Sequence, residues 1–365
     1  MKRVKILLVA IMILPFAFWS CQNKQKIKIG VLLPLTGDYS KYGVAIKNGI
    51  DLAYSESNIK DRIKLIYEDE RGEAKTATTV VNKLLSNNKV DVLIGGATSS
   101  VAASIIPITS KDKKVLISPY ATAEDLFNEG NYFYSLLPSD NYEGLFMSEY
   151  IASQKIDSIG ILYINNDYGV GIVSSFTKGC HDENIKILFS EGYGDGETNF
   201  KTQINKMKLL NIKAVYLPGY YAETSKILKQ IKELGCNFKI FGSSNFYDPK
   251  FLEQSDISAN GVVFSYPSFD NDTTSLYKTF IDSYSLKYKQ QPDAFAIQGY
   301  DCFKLIEKII SENKSNNTID FEAVMKQIKD FQGINSIINF SSNGSVIKKF
   351  NIYEIYNQEF VRKSN

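Results

Sequence analysis

The sequence predicts an α/β fold, and three observations carry that prediction. Short apolar, β-rich runs recur along the chain. Each is closed by a polar break and most lead into an amphipathic helix. One strand–loop–helix unit also has an echo later in the sequence. Residues 27–35 (IKIGVLLPL) are the first such run, broken at Gly37, Asp38 and Ser40. Ile46, Ile50 and Ala53 follow at i, i+4 and i+7, the buried stripe of an amphipathic helix. Residues 63–67 read as a strand, 73–85 as a helix, 92–96 as a strand, 101–110 as a short helix and 115–119 as a strand. A second series runs through a strand at 159–164, a helix at 168–179 and strands at 186–190 and 214–218. A helix bearing Ile227, Ile231 and Leu234 and strands at 239–242 and 261–266 complete it. Alternation of this kind builds parallel sheets from βαβ units.

The echo pairs IGVLLPLTGDYSKYGVAI (29–46) with IGILYINNDYGVGI (159–172): a strand, a polar loop and a Tyr-Gly-Val helix start in both. Two ordinary units could coincide in this way, or two similarly built lobes could each open with the same device. The chain is long enough for two lobes. In open parallel sheets ligands sit outside the carboxyl ends of the strands, so two facing lobes would share one cleft.

The N-terminus is of another kind. Lys2, Arg3 and Lys5 precede an apolar run over 6–19 that is interrupted by Pro15. The run is shorter than the roughly 20 residues a bilayer span needs, and reads as a signal peptide over 1–20. Ser20-Cys21 stands where a lipoprotein signal is cut, although Phe18 occupies a place where Leu is usual. Cys21 is the expected lipidation site, followed by a polar tether over 22–26, and two acyl chains suffice for stable anchoring. The protein is therefore expected to be exported, periplasmic or at the cell surface.

Loss of Lys2, Arg3 and Lys5 leaves 39 of the 42 basic residues against 40 acidic ones. A near-neutral chain has no electrostatic footprint for nucleic acid. Cys180, Cys236 and Cys302 are too few and too widely spaced for a disulfide framework. Buried thiols are expected, with Cys180–Cys236 the one pair to consider for a bridge. The only histidine, His181, lies in a polar helix end and is expected to face solvent. No HExxH, GxSxG, P-loop or zinc spacing occurs, so neither an enzyme nor a metal or other cofactor is expected.

Eight segments together carry a family resemblance: PLTGDYSKYG (34–43), YEDERGEAKTA (67–77), LIGGATSSVA (93–102), ISPYATAEDL (117–126), NNDYGVG (165–171), PGYYAET (218–224), KIFGSS (239–244) and the late Ala296, Tyr300 and Asp301. In order and spacing they resemble the leucine/isoleucine/valine-binding family of ABC-transporter solute-binding proteins, from about residue 27 to the C-terminus. The resemblance implies the type I periplasmic binding fold, two parallel-sheet α/β lobes joined by three hinge crossovers. It implies lobe 1 over 27–140 plus 267–332 and lobe 2 over 141–266 plus 333–365. It further implies a small polar ligand, an ABC permease as partner and a monomer.

The candidate ligand residues lie at the ends of predicted strands. The Gly95–Ser100 stretch follows one strand and precedes a helix, so glycines admit a ligand to the backbone while hydroxyls and helix N-terminal amides suit a carboxylate. By resemblance Ser99 takes the carboxylate and Thr122 is a second ligand contact. The Tyr120 and Ala121 backbone lies beside them. For both hydroxyl residues a plain capping or turn role is the alternative. Tyr168 and Tyr220 stand at strand-to-helix junctions, where an amphipathic ring walls a pocket and offers its hydroxyl. Tyr42 is the comparable residue in the first half. Ser244 stands where amino-acid-binding members carry a glutamate for the ammonium group. That leaves amino acids, other carboxylates and amides open as ligands, with Asp140 as either a compensating acid or a helix cap. The same fold could also serve a sensing or surface-recognition lipoprotein without transport.

Overall fold

The computed structural model describes residues 26–128, 132–268, 274–313 and 319–363. The signal peptide and Cys21 lie outside the described residues.

The first half alternates β1 (Ile27–Leu33), α1 (Ser40–Glu56), β2 (Ile63–Asp69), α2 (Ala74–Lys83), β3 (Val92–Gly95), α3 (Ser99–Lys111), β4 (Leu116–Ser118) and β5 (Phe133–Ser135). These strands form a parallel sheet in the order β2-β1-β3-β4-β5. Val31, Leu32 and Leu33 are wholly buried because helices cover both faces, which is why the strands read as unbroken apolar runs.

The second half repeats the plan through α4 (Asp140–Ser153), β6 (Ser158–Ile164), α5 (Asp167–Asp182), β7 (Lys186–Tyr193), α6 (Lys201–Leu209), β8 (Ala214–Leu217), α7 (Tyr221–Glu233), β9 (Lys239–Gly242), α8 (Pro249–Ser255) and β10 (Val263–Pro267). After them come α9 (Ser275–Tyr288), α10 (Ala294–Glu312), α11 (Phe321–Met325), the β11 (Phe331–Gln332)–β12 (Ile337–Ile338) hairpin, β13 (Phe350–Tyr356) and β14 (Glu359–Arg362).

Five parallel strands of the second sheet run β7-β6-β8-β9-β10, the same order as the first sheet, and antiparallel β13 and β14 extend its edge. The echo in the sequence thus falls on two equivalent units, β1–α1 and β6–α5. The chain passes between the two halves three times, after β5, after β10 and before β13. Residues 333–346, expected with the second sheet, pack on the first: Tyr134 meets Phe340 edge-on at 5.3 Å and the Ser135 amide donates to the Gly344 carbonyl at 3.2 Å.

Helix α10 returns to the first sheet and crosses α1 at two glycines. A Cβ on Gly49 would lie 1.9 Å from the Ala296 carbonyl oxygen, and one on Gly299 2.1 Å from that of Ile46. Neither backbone can yield without separating the helices. Gly49→Ala is therefore expected to cost about 1–3 kcal/mol of stability, the usual range for overpacking. The check is the urea midpoint, which would stay put if the crossing had slack.

Cys180, Cys236 and Cys302 are free thiols, the first and last buried. Burial pushes the Cys180 thiol up to about 12, so it carries no reactive thiolate. The His181 side chain is 91% exposed. No described helix is long and apolar enough to cross a membrane.

Candidate functional site

The carboxyl ends of the two sheets face one another across a narrow cavity. Its lining comes from Ala97, Thr98 and Ser99 after β3, Tyr120 and Thr122 after β4, and Leu137 after β5. The second sheet adds Tyr168 after β6, Tyr220 after β8, and Ser244 and Asn245 after β9.

The first wall is set by hydroxyl groups acting on backbone. Gly96 has φ +65°, a turn that brings the chain into α3. Thr98 caps that helix, its Oγ1 accepting from the Val101 amide at 3.4 Å. Ser99 is the first helical residue, not the cap. Its Oγ accepts from the Thr122 amide at 3.3 Å and the Ala123 amide at 3.2 Å. Both lone pairs are thus engaged, and the hydroxyl has only its hydrogen left to offer. Ser118 Oγ donates to the Gly96 carbonyl at 2.8 Å and accepts from the Tyr120 and Ala121 amides at 3.2 and 2.9 Å. The Thr122 carbonyl accepts from the Asp140 amide at 2.8 Å. What this wall leaves for a ligand is the Ser99 hydrogen at the N-terminus of α3, a position suited to an anion.

The second wall is aromatic. Tyr168 opens α5 behind an Asn166 cap, whose Oδ1 accepts from the Gly169 amide at 3.1 Å. Its hydroxyl donates to Ser243 Oγ at 2.7 Å, and its ring stacks on Tyr220 at 5.5 Å. Tyr220 meets Tyr39 of the first half edge-on, also at 5.5 Å, and the Tyr39 hydroxyl donates to Asp195 Oδ2 at 2.9 Å. These contacts bridge the two halves over the cavity.

Behind Ser244 lies a carboxylate that the sequence reading passed over. Glu143 of α4 is buried and accepts three hydrogen bonds: Ser244 N–H to Oε1 at 2.5 Å, Ser244 Oγ to Oε2 at 2.8 Å and Ser265 Oγ to Oε1 at 2.7 Å. Burial pushes its carboxyl up and these donors pull it back, leaving it at about 6 and ionised at neutral pH. Asp140, one helical turn earlier, is also buried. Desolvation, then the neighbouring Glu143 charge, hold it well above the ordinary carboxylate range. It is not the helix cap, since Ser139 Oγ takes that role by accepting from the Asn141 amide at 3.1 Å.

Six of the candidate residues, Ser99, Tyr120, Thr122, Tyr168, Tyr220 and Ser244, line the one cavity. Ala121, Asp140 and Tyr42 stand outside its lining. Tyr42 instead packs on Phe295 at 4.4 Å and edge-on to Tyr221 at 5.5 Å. Thr98 belongs to the Gly95–Ser100 stretch singled out in the sequence, whereas Leu137, Asn245 and Glu143 were not anticipated. For Glu143 a signal existed, because it follows Asp140 at i+3 on the same helix face. Among the described residues no group of His, Cys, Asp and Glu is placed to hold a metal ion.

Two facing parallel sheets with a cavity between their strand ends, donors on one wall and tyrosines on the other, define a binding protein of the type I periplasmic fold. A family model described as Periplasmic binding protein matches residues 26–359, and the chain belongs to that family. It is similar to the leucine-, isoleucine-, valine-, threonine- and alanine-binding protein of Pseudomonas aeruginosa, 26% identical over 320 residues that make up 85% of this chain and 84% of that one. Among solved structures it resembles the branched-chain amino acid transporter substrate-binding protein LivJ of Streptococcus pneumoniae in complex with isoleucine. That match has a TM-score of 0.82 and 27% identity, covering 93% of this chain and all of that one. A solute-binding protein of an ABC transporter from R. palustris, in complex with benzoate, shares the fold at TM-score 0.83 and 20% identity, over 92% of this chain and 95% of that one.

Proposed function

We propose that this chain is the exported, lipid-anchored solute-binding component of an ABC importer, closing two lobes over a small polar carboxylate. The observation that supports this most directly is the cavity itself: donors of Ser99, Thr122 and the α3 N-terminus oppose Tyr168 and Tyr220 across it. Lobe 1 is the first sheet with the helices packed on it, and lobe 2 the second sheet with α4–α8 and the C-terminal strands. Ligand docks on lobe 1 and the tyrosines of lobe 2 then cover it, the closed form being favoured because only there does ligand touch both walls. The relatives named for amino-acid binding support transport of a compound of that size. Cys21 would tether the protein, as a monomer, beside its permease, and mass spectrometry of the mature N-terminus tests the lipid.

The test of ligand capture is a thermal-shift screen of amino acids, other carboxylates and amides. A ligand at 100 times its dissociation constant adds about 2.7 kcal/mol to stability, and absence of any stabiliser would overturn the reading. Closure gives a second expectation. Tyr39 reaches across to Asp195 through an exposed hydrogen bond, so Tyr39→Phe should speed ligand dissociation severalfold while changing association little. Stopped-flow fluorescence separates the two rates, and an unchanged off-rate would remove Tyr39 from the closing contacts.

A further inference from the structure

We infer that the amino-end edge of the first sheet is a membrane-facing surface, which sets lobe 1 down on anionic lipid headgroups beside the anchor at Cys21. The cavity lies at the carboxyl ends of the strands, and the opposite edge has a charge pattern of its own. Lys60 and Lys64 flank the start of β2, Lys89 precedes β3, and Lys111 and Lys113 precede β4, all of them exposed. Exposed Lys26 precedes β1, which runs between β2 and β3, so the chain enters the fold among these lysines. None of the six makes an ion pair among the described residues, whereas Lys83 and Lys326 on other helices pair with Glu68 and Glu322 at 2.7 and 2.9 Å. The exposed acids in the same loops are Asp61 and Asp112. Glu56, at the end of α1, accepts from the Tyr300 hydroxyl at 2.7 Å.

The matching edge of the second sheet differs. Its lysines alternate with acids, Lys155 near Asp157 and Lys186 near Glu183, all exposed. The excess of one sign is thus confined to the lobe that receives the N-terminus. The proposed anchor, on which the inference rests for proximity, brings that excess to the bilayer. Cys21 lies six residues before Ile27, and an extended chain spans at most about 3.3–3.6 Å per residue, so Ile27 stays within about 20 Å of the headgroups. Motion of the tether within that radius carries the edge inside the Debye length of about 8 Å, where lysines are drawn to anionic lipid. Docked in this way, the strands of lobe 1 point their carboxyl ends away from the bilayer. The seven residues of β1, at about 3.3 Å each, raise the cleft on the order of 20 Å above the surface. The cleft then opens to solvent, and lobe 2 is free to close over ligand while lobe 1 is held.

The test uses the mature chain with Cys21→Ser, so that no acyl chain contributes. It is sedimented with vesicles of phosphatidylcholine alone or with about one-third phosphatidylglycerol. At about 50 mM salt the anionic vesicles are expected to carry down at least tenfold more protein, and the difference should vanish near 300 mM. Combining Lys60→Gln, Lys64→Gln, Lys89→Gln and Lys113→Gln should cut binding to the anionic vesicles at least tenfold. Combining Lys155→Gln, Lys186→Gln, Lys213→Gln and Lys239→Gln removes the same charge from the other lobe and should change binding less than twofold. All eight side chains are exposed, and the melting temperature of each variant checks that it folds. Equal sedimentation with both vesicles, or equal losses in the two variants, overturns the inference. If charge-dependent binding holds while mass spectrometry finds no lipid on Cys21, the surface stands and the anchor alone falls. If Cys21 is acylated and binding is indifferent to charge, the anchor stands and the surface is removed.

Discussion

Ser99→Ala combined with Thr122→Ala is expected to weaken ligand binding at least tenfold, and more where the ligand presents a carboxylate. Hydrogen bonds to a charged group are worth about 1.5–3 kcal/mol each, and a tenfold loss needs only about 1.4 kcal/mol. Ser99 carries more than its own contact. Its oxygen holds the Thr122 and Ala123 amides, so its removal also loosens the loop that presents Thr122. The two losses share one loop and should not add in full. Calorimetric titration of the double variant gives the affinity. The melting temperature of the ligand-free protein shows whether the loop alone has suffered. An affinity within twofold of the parent would place the ligand elsewhere.

The inner parallel strands, such as β1, β3 and β8, were readable in the sequence because they are buried on both faces and so appear as continuous apolar runs. β5 escaped because it is three residues long and its Tyr134 and Ser135 carry no strand pattern of their own. The C-terminal strands were also missed: Phe350–Tyr356 mixes apolar and polar residues, although it lies inside the sheet between β10 and β14. The third crossover was placed too early, since the β11–β12 hairpin and the turn after it contact β5 through Phe340 and Gly344. Those contacts join positions far apart in sequence, which no local pattern reports.

The candidate site was legible on the same terms. Residues directly after strands could be picked out, since topology alone brings strand ends together. Which side chain then enters the cavity depended on packing. Tyr42 and Tyr168 hold matching places in the repeated unit, yet the first turns to Phe295 and Tyr221 while the second lines the cavity. Glu143 was hidden because its partners, Ser244 and Ser265, lie in other elements more than a hundred residues away.

Acidic pH should stabilise this fold, and Asp301→Asn should remove a large part of that effect. Asp301 is buried in α10, and desolvation pushes its carboxyl up from 3.8 to about 7 against the opposing Ile334 amide and the nearby Lys348 charge. The folded chain thus binds this proton more tightly than the unfolded one. Between those two values the native state carries the extra proton, and unfolding free energy falls as pH rises. The contribution is lost from about pH 4 to about pH 7. At 1.36 kcal/mol per unit it is on the order of 4 kcal/mol. Glu70, raised by burial to about 7, and Glu143, at about 6, have slopes of the same sign. The comparison must therefore be between the parent and the variant at each pH. Asparagine keeps an oxygen for the Ile334 amide but has no charge to bury. Urea unfolding should find the variant more stable than the parent by about 2–4 kcal/mol at pH 8, with the advantage gone near pH 4. Equal destabilisation at both values would mean that the carboxylate is held in its charged form by the turn it supports, and that burial is the weaker influence on it.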